Sequence, residues 1–97
     1  MTKDARWGAF VWDREKESLN IRRHSLGFKE AAEAFADPKH LITRDEKHGQ
    51  AEERLFCVGL VNGRIATIRF IFRDKAVRII GAGFWRKGRK LYEKTNS

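Results

Sequence analysis

Apolar positions along the 97-residue chain change their period near its middle. Residues 9–13, AFVWD, form a short extended segment, and Asp13 is placed to cap a helix over residues 14–24, REKESLNIRRH. Its acids fall early and Arg22, Arg23 and His24 fall late, as the helix dipole favours. Ser25-Leu26-Gly27 ends it. Phe28, Ala31, Ala32 and Phe35 then recur at i, i+3, i+4 and i+7, which predicts an amphipathic helix through Asp37, stopped before Pro38.

Residues 40–45, HLITRD, read as a strand, and residues 46–53, EKHGQAEE, as a polar loop leading out of it. The period then becomes two. RLFCVGLV (54–61), RIATIRFIFR (64–73) and AVRIIGAG (76–83) are rich in Val, Ile and Phe. Asn62-Gly63 separates the first two and signals a tight type I′ hairpin; Asp74-Lys75 separates the last two and is a weaker turn signal. The result is a three-stranded antiparallel meander. Alternation in the middle strand sets Ala66, Ile68, Phe70 and Phe72 on one face, to pack against helices, and Ile65, Thr67, Arg69, Ile71 and Arg73 on the other, to display cations. Arg78 joins Arg69 and Arg73 if the register of the third strand places it on their side. Trp85, Leu91 and Tyr92 recur at roughly helical spacing, so residues 84–94 close the chain as a helix despite Gly88. These elements predict one domain over residues 1–97 of the α+β class, N-terminal helices packed on an antiparallel sheet with a C-terminal helix.

Charge changes this picture by being segregated. The formal net charge is +8, yet residues 1–53 hold ten Lys/Arg against eleven Asp/Glu, whereas residues 54–97 hold eleven against two. A basic field of that kind attracts polyanions, so nucleic acid, an acidic protein or an anionic membrane surface are the candidate partners. Several classes are disfavoured. A single cysteine excludes an internal disulfide, and Cys57, within LFCVGL, reads as a buried hydrophobe rather than a nucleophile. His24, His40 and His48 lie far apart without cysteine or paired carboxylates at ligand spacing, so no metal and no cofactor is expected. With no signal-like segment and no apolar run approaching the ~20 residues of a membrane span, a cytoplasmic protein is expected.

A basic surface beside aromatic residues suits single-stranded RNA, because rings stack on bases while cations hold phosphates. Trp12, beside Phe10, reads as core; Trp85, beside Arg86 and Lys87, suits either stacking on a base or anchoring the last helix. RNA also carries its own nucleophile, the 2′-hydroxyl. Cleavage therefore needs a base for that proton, cations for the charge that grows on the phosphoryl oxygens, and an acid for the leaving 5′-oxygen. Arginine and lysine meet the second need; Tyr92, Glu93 and His24 are the available proton carriers. The candidates for the chemistry are Arg69, Arg78, Arg86, Lys87, Tyr92 and His24, and those for holding RNA are Arg54, Arg73, Trp85 and Arg89.

The order of motifs resembles the BrnT family, ribonuclease toxins of bacterial type II toxin-antitoxin pairs. The family's F-x-W-D, N, K-H and F-x-E-A-x-x-x-F-x-D-P pattern is matched by Phe10, Trp12, Asp13, Asn20, His24, Phe28, Glu30, Ala31, Phe35, Asp37 and Pro38. EERLFCVG, RIATIRFIF, VRIIGA and LYE are similar to its later stretches. The resemblance implies a RelE-like fold, RNA cleavage that blocks translation, and a BrnA-like antitoxin. Two toxins and two antitoxins would assemble, and operator DNA would be bound only through the antitoxin. One departure stands out: where relatives commonly read S-A-R, this chain has Gly81-Ala82-Gly83. The alternative reading is accordingly a catalytically weakened or non-catalytic basic module that binds RNA or the antitoxin.

Overall fold

The computed structural model describes residues 3–45 and 53–97. The loop expected over 46–53, with His48, lies outside the described residues except for Glu53. In chain order the elements are β1 (Asp4–Trp7), β2 (Phe10–Asp13), α1 (Arg14–His24), α2 (Phe28–Ala31), a 3₁₀ segment (Ala32–Ala36), β3 (Leu41–Arg44), β4 (Leu55–Val61), β5 (Arg64–Arg73), β6 (Ala76–Gly83) and α3 (Arg86–Thr95). The six strands form one sheet in the order β1-β2-β6-β5-β4-β3. The fold is α+β, with a mixed sheet: the neighbouring strands are antiparallel except β2 and β6, which are parallel because α1 and the strands after it intervene between them.

Local sequence explains most element boundaries. Asp13 Oδ1 accepts hydrogen bonds from the amides of Glu15 and Lys16, 2.8 and 3.0 Å away, which fixes the start of α1. Ser25 ends it in the left-handed conformation, φ 55°, its amide donating to the Ile21 carbonyl. Asn62 and Gly63 have φ of 51° and 78°, as a type I′ turn requires. Asp74 and Lys75, at 52° and 61°, adopt the same pattern without a glycine, so that hairpin is tighter than its sequence signals.

Two elements differ from expectation. Strand β1 was not anticipated, because three of its four residues are exposed and no apolar alternation marks it. The helix expected through Asp37 is instead one α-helical turn followed by the 3₁₀ segment. Its backbone lies so close to β4 that a methyl group on Gly59 would collide with the Ala34 carbonyl oxygen, and Ala31, Ala32 and Ala34 are buried there. Close approach to the sheet, achieved with alanine and glycine, overrides the periodicity of a regular helix.

Directly paired residues share a face of the sheet. One face presents Trp12, Cys57, Ala66, Ile68, Phe70, Ile79 and Ala82 to Leu26, Phe28 and the alanines of the 3₁₀ segment, and this is the core. Phe72 was expected to pack there; it lies beyond the covered area and is 63 % exposed. The second face was expected to display cations, but it also carries α3. Gly88 sits over the paired residues Val58 and Thr67, where a Cβ would collide with Thr67 Oγ1.

Candidate functional site

The register settles where the arginines of the last two strands lie. Ile71 is opposite Arg78 and Arg69 is opposite Gly81, so Arg69 and Arg78 are diagonal neighbours on the face that carries α3. A bulge at Ile80 separates the two pairings. Arg73, two residues beyond Ile71, is exposed at the end of the same row. No carboxylate lies within ion-pair distance of Arg69 among the described residues. The Arg69 side chain lies over the buried Gly81: a Cβ there would stand 3.7 Å from Arg69 Cδ, an ordinary contact. A serine would therefore fit at position 81, so its absence relieves no crowding.

Arg78 is engaged differently. Its Nη2 lies 2.7 Å from Asp4 Oδ2 and its Nη1 3.4 Å from Asp4 Oδ1, which ties β1 to β6 across β2. This hydrogen bond, and after it the charge of Arg78, holds the Asp4 carboxyl below its ordinary value. Arg78 Nε is buried without a hydrogen-bond partner among the described residues, an unsatisfied charged donor inside the row.

Helix α3 begins where β6 ends. Trp85 is its N-cap and supplies no side-chain hydrogen bond; the first turn contains no acid. Arg86, Lys87 and Arg89 are exposed there, next to the positive end of the helix dipole. Cations at that position are unfavourable by about 0.3–1 kcal/mol each at low salt, so they do not contribute to the helix's own stability. Arg89 makes an exposed ion pair of 3.5 Å with Glu93 one turn later. The Trp85 ring lies against Gly83, where a Cβ would approach within 2.8 Å, and meets the His24 ring edge-on at 5.1 Å. Gly83 thus makes room for the Trp85–His24 pair at the foot of the helix, a physical reason for the second departure from the S-A-R pattern.

Tyr92 is set apart from the arginines. From the Gly88 crossing it lies about 6 Å further along α3, toward Leu60 and Ile65, whereas Arg69 lies about 7 Å the other way along β5. Its hydroxyl donates to Asp37 Oδ2 at 2.7 Å, and Asp37 also accepts from the amides of Leu60 and Lys39, each at 2.9 Å. The hydrogen bond to Asp37, followed by burial, raises the Tyr92 hydroxyl above its ordinary value. Burial alone would push Asp37 upward, but the Tyr92, Lys39 and Leu60 hydrogen bonds and His40 outweigh it, and its carboxyl is lowered. An open groove of about 520 Å³ lies beside this latch, lined by Asp37, Pro38, Leu60, Ile65, Tyr92 and Asn96.

Arg54 precedes β4, half-exposed, with its carbonyl accepting from the Asp45 amide at 2.9 Å. Burial, and then the Asp37 charge, pushes the Cys57 thiol up to about 12, which suits packing and not nucleophilic chemistry. No cluster of three potential metal ligands occurs among the described residues, and no helix among them is long and apolar enough to cross a membrane.

Three residues that hold candidate residues or their elements in place carry no chemical signal in the sequence. Asp4 holds Arg78, Asp37 holds Tyr92, and Asn20 joins α1 to β6 by accepting from the Ala82 amide (3.1 Å) while donating to the Leu26 carbonyl (2.8 Å). Asn20 and Asp37 were visible only as members of a family pattern.

A search of curated proteins finds no match to this chain. Residues 12–88 match the family model described as "Ribonuclease toxin, BrnT, of type II toxin-antitoxin system", a span that runs from Trp12 through every strand of the meander to Gly88 and covers well over half of the chain, which therefore belongs to that family.

Proposed function

We propose that this toxin cleaves RNA without a metal ion, using the 2′-hydroxyl as nucleophile and the Arg69–Arg78 face with the start of α3 to bind the scissile phosphate. The observation that carries the reading is Arg69: half-exposed in a row of arginines, its side chain lying over Gly81, with no carboxylate partner among the described residues. In the transition state charge grows on the phosphoryl oxygens, and a preorganised guanidinium stabilises that charge more than the ground state. Arg78 joins when a phosphate oxygen takes the place of the Asp4 carboxylate on its fork, since both are bidentate acceptors. Arg86 and Lys87, with Arg89, Arg73 and Arg54, extend the basic track for the RNA chain, and Trp85 is available for base stacking.

Of the proton carriers, His24 is the stronger candidate because its ring adjoins Trp85 at the foot of α3. Tyr92 is engaged with Asp37 and acts in anchoring the helix. In this reading, the cytoplasmic toxin inhibits translation and is neutralised by its antitoxin, in complexes of two toxins with two antitoxins that reach operator DNA only through the antitoxin.

The test is incubation of purified protein with RNA in the presence of EDTA. Cleavage that persists, and is abolished by Arg78→Ala in a protein with an unchanged melting curve, supports the reading. Salt-sensitive binding that leaves RNA intact sinks it in favour of a non-catalytic module, the alternative that Gly81-Ala82-Gly83 favours.

A further inference from the structure

At one end of the core face, four strands contribute one apolar residue each to a continuous row. Phe72 on β5 is opposite Val77 on β6, Val77 is level with Phe10 on β2, and Phe10 is opposite Trp7 on β1. The rings are linked: Trp7 stacks on Phe10 at 6.2 Å, Phe10 meets Phe35 at 5.1 Å, Phe35 meets Phe70 at 5.0 Å and Phe70 meets Phe72 at 5.6 Å. Phe70 is 1 % exposed, yet the ends of the row leave the core, Phe72 being 63 % and Trp7 44 % exposed. Exposed apolar side chains scattered singly are ordinary; a row of linked aromatic residues anchored in the core marks an interaction surface.

Its rim is cationic. Lys29 Nζ stands 5.5 Å over the Trp7 ring, and Lys75 lies beside Asp74 in the turn that joins β5 to β6 at the other end. A second copy of this chain would bring the same +8 formal charge to the contact, so self-association is opposed and an acidic partner is favoured. Three inter-strand spacings make the row about 14 Å long, the length of nearly three helical turns.

We propose that this row is the docking surface for an acidic amphipathic helix of the cognate antitoxin, its apolar stripe lying across β5, β6, β2 and β1; the proposal rests on the reading of the chain as a toxin neutralised by a protein partner. The row is on the sheet face opposite Arg69 and Arg78, so changes to it separate antitoxin binding from RNA chemistry.

The experiment titrates purified cognate antitoxin against wild-type toxin, Phe72→Glu, Phe72→Leu, Trp7→Gln at the other end of the row, and Leu91→Glu on α3, with melting curves and RNA cleavage recorded for each. Phe72→Glu is expected to weaken binding by at least about 30-fold, the size of an interface hot spot, Phe72→Leu by only a few-fold, and Leu91→Glu within about twofold, all with wild-type cleavage. Trp7→Gln weakens binding about tenfold and carries the test if Phe72→Glu fails to fold. Unchanged affinity in folded row variants overturns the proposal. So does a loss of self-association or of RNA affinity in place of antitoxin affinity. Wild-type toxin that binds antitoxin through the row but leaves RNA intact would refute the nuclease reading and spare this one.

Discussion

The two faces of the sheet are built by opposite rules. On the core face, Phe28, Phe70, Ile68 and Ile79 are at most 1 % exposed and pack against alanines that let the 3₁₀ segment approach β4. On the other face, α3 covers Val58 and Thr67, but no further helix among the described residues packs over Arg69 and Arg78, and two buried side-chain atoms there, Thr67 Oγ1 and Arg78 Nε, lack partners. The centre of the first face is satisfied within the chain, while the ends of its aromatic row are left exposed. The second holds like charges at a helix start and on adjacent strands, an arrangement costly for the free protein and suited to a polyanion. Packing is concentrated on one side and the proposed chemistry on the other, so a substitution on either side should have a separable signature.

The largest effect is expected from Phe28→Ala, which empties the centre of the core face and should cost about 3–5 kcal/mol in denaturant unfolding. In a domain of this size that is a large share of the total. Arg69→Ala should do the reverse, leaving the unfolding midpoint unchanged while lowering the rate of RNA cleavage about 10²–10³-fold. A destabilised but fully active Arg69→Ala protein would show that the division between the faces is false. Gly88→Ala forces a methyl group into Thr67 and should cost about 1–3 kcal/mol by lifting α3 from the sheet; thermal unfolding measures it.

The smallest effect lies in the pH dependence of the α3 latch. The Asp37 carboxyl is lowered from 3.8, so its contribution is complete above that value and fades as pH falls through the lower folded value. The Tyr92 hydroxyl is raised from 10.0, so its contribution is complete below that value and is lost as pH rises through the higher folded one. The difference in melting temperature between wild type and Tyr92→Phe should therefore be flat between these limits and shrink beyond both. A difference that is constant from acid to alkali would mean that the Tyr92–Asp37 pair is not what holds the helix.

Patterns that depend on near neighbours were legible in the sequence. The Asp13 cap, the break at Ser25, the three-stranded meander and the Asn62-Gly63 turn all follow from residues within a few positions of one another. The concentration of positive charge after residue 53 is likewise plain in the sequence, and by itself it points to a polyanionic partner. Grouping of the candidate residues was not legible in the same way. Arg69 and Arg78 come onto one face only through the pairing of β5 with β6 that sets Arg78 opposite Ile71, and a slip of one residue would have sent Arg78 to the core side. Tyr92 looked as available as His24, but a carboxylate 55 positions earlier in the chain binds it.

The sequence by itself determined the kinds of element, their order and the sign of the field, because propensity, capping and charge act over a few residues. Tertiary structure alone decided that β2 runs parallel to β6, that Asp4 reaches Arg78 across 74 positions, and that Gly83 gives Trp85 its place beside His24. Each of these joins distant parts of the chain through sheet register or through space left by an absent Cβ. Such contacts are selected by the packing of the whole sheet, and no local pattern records them.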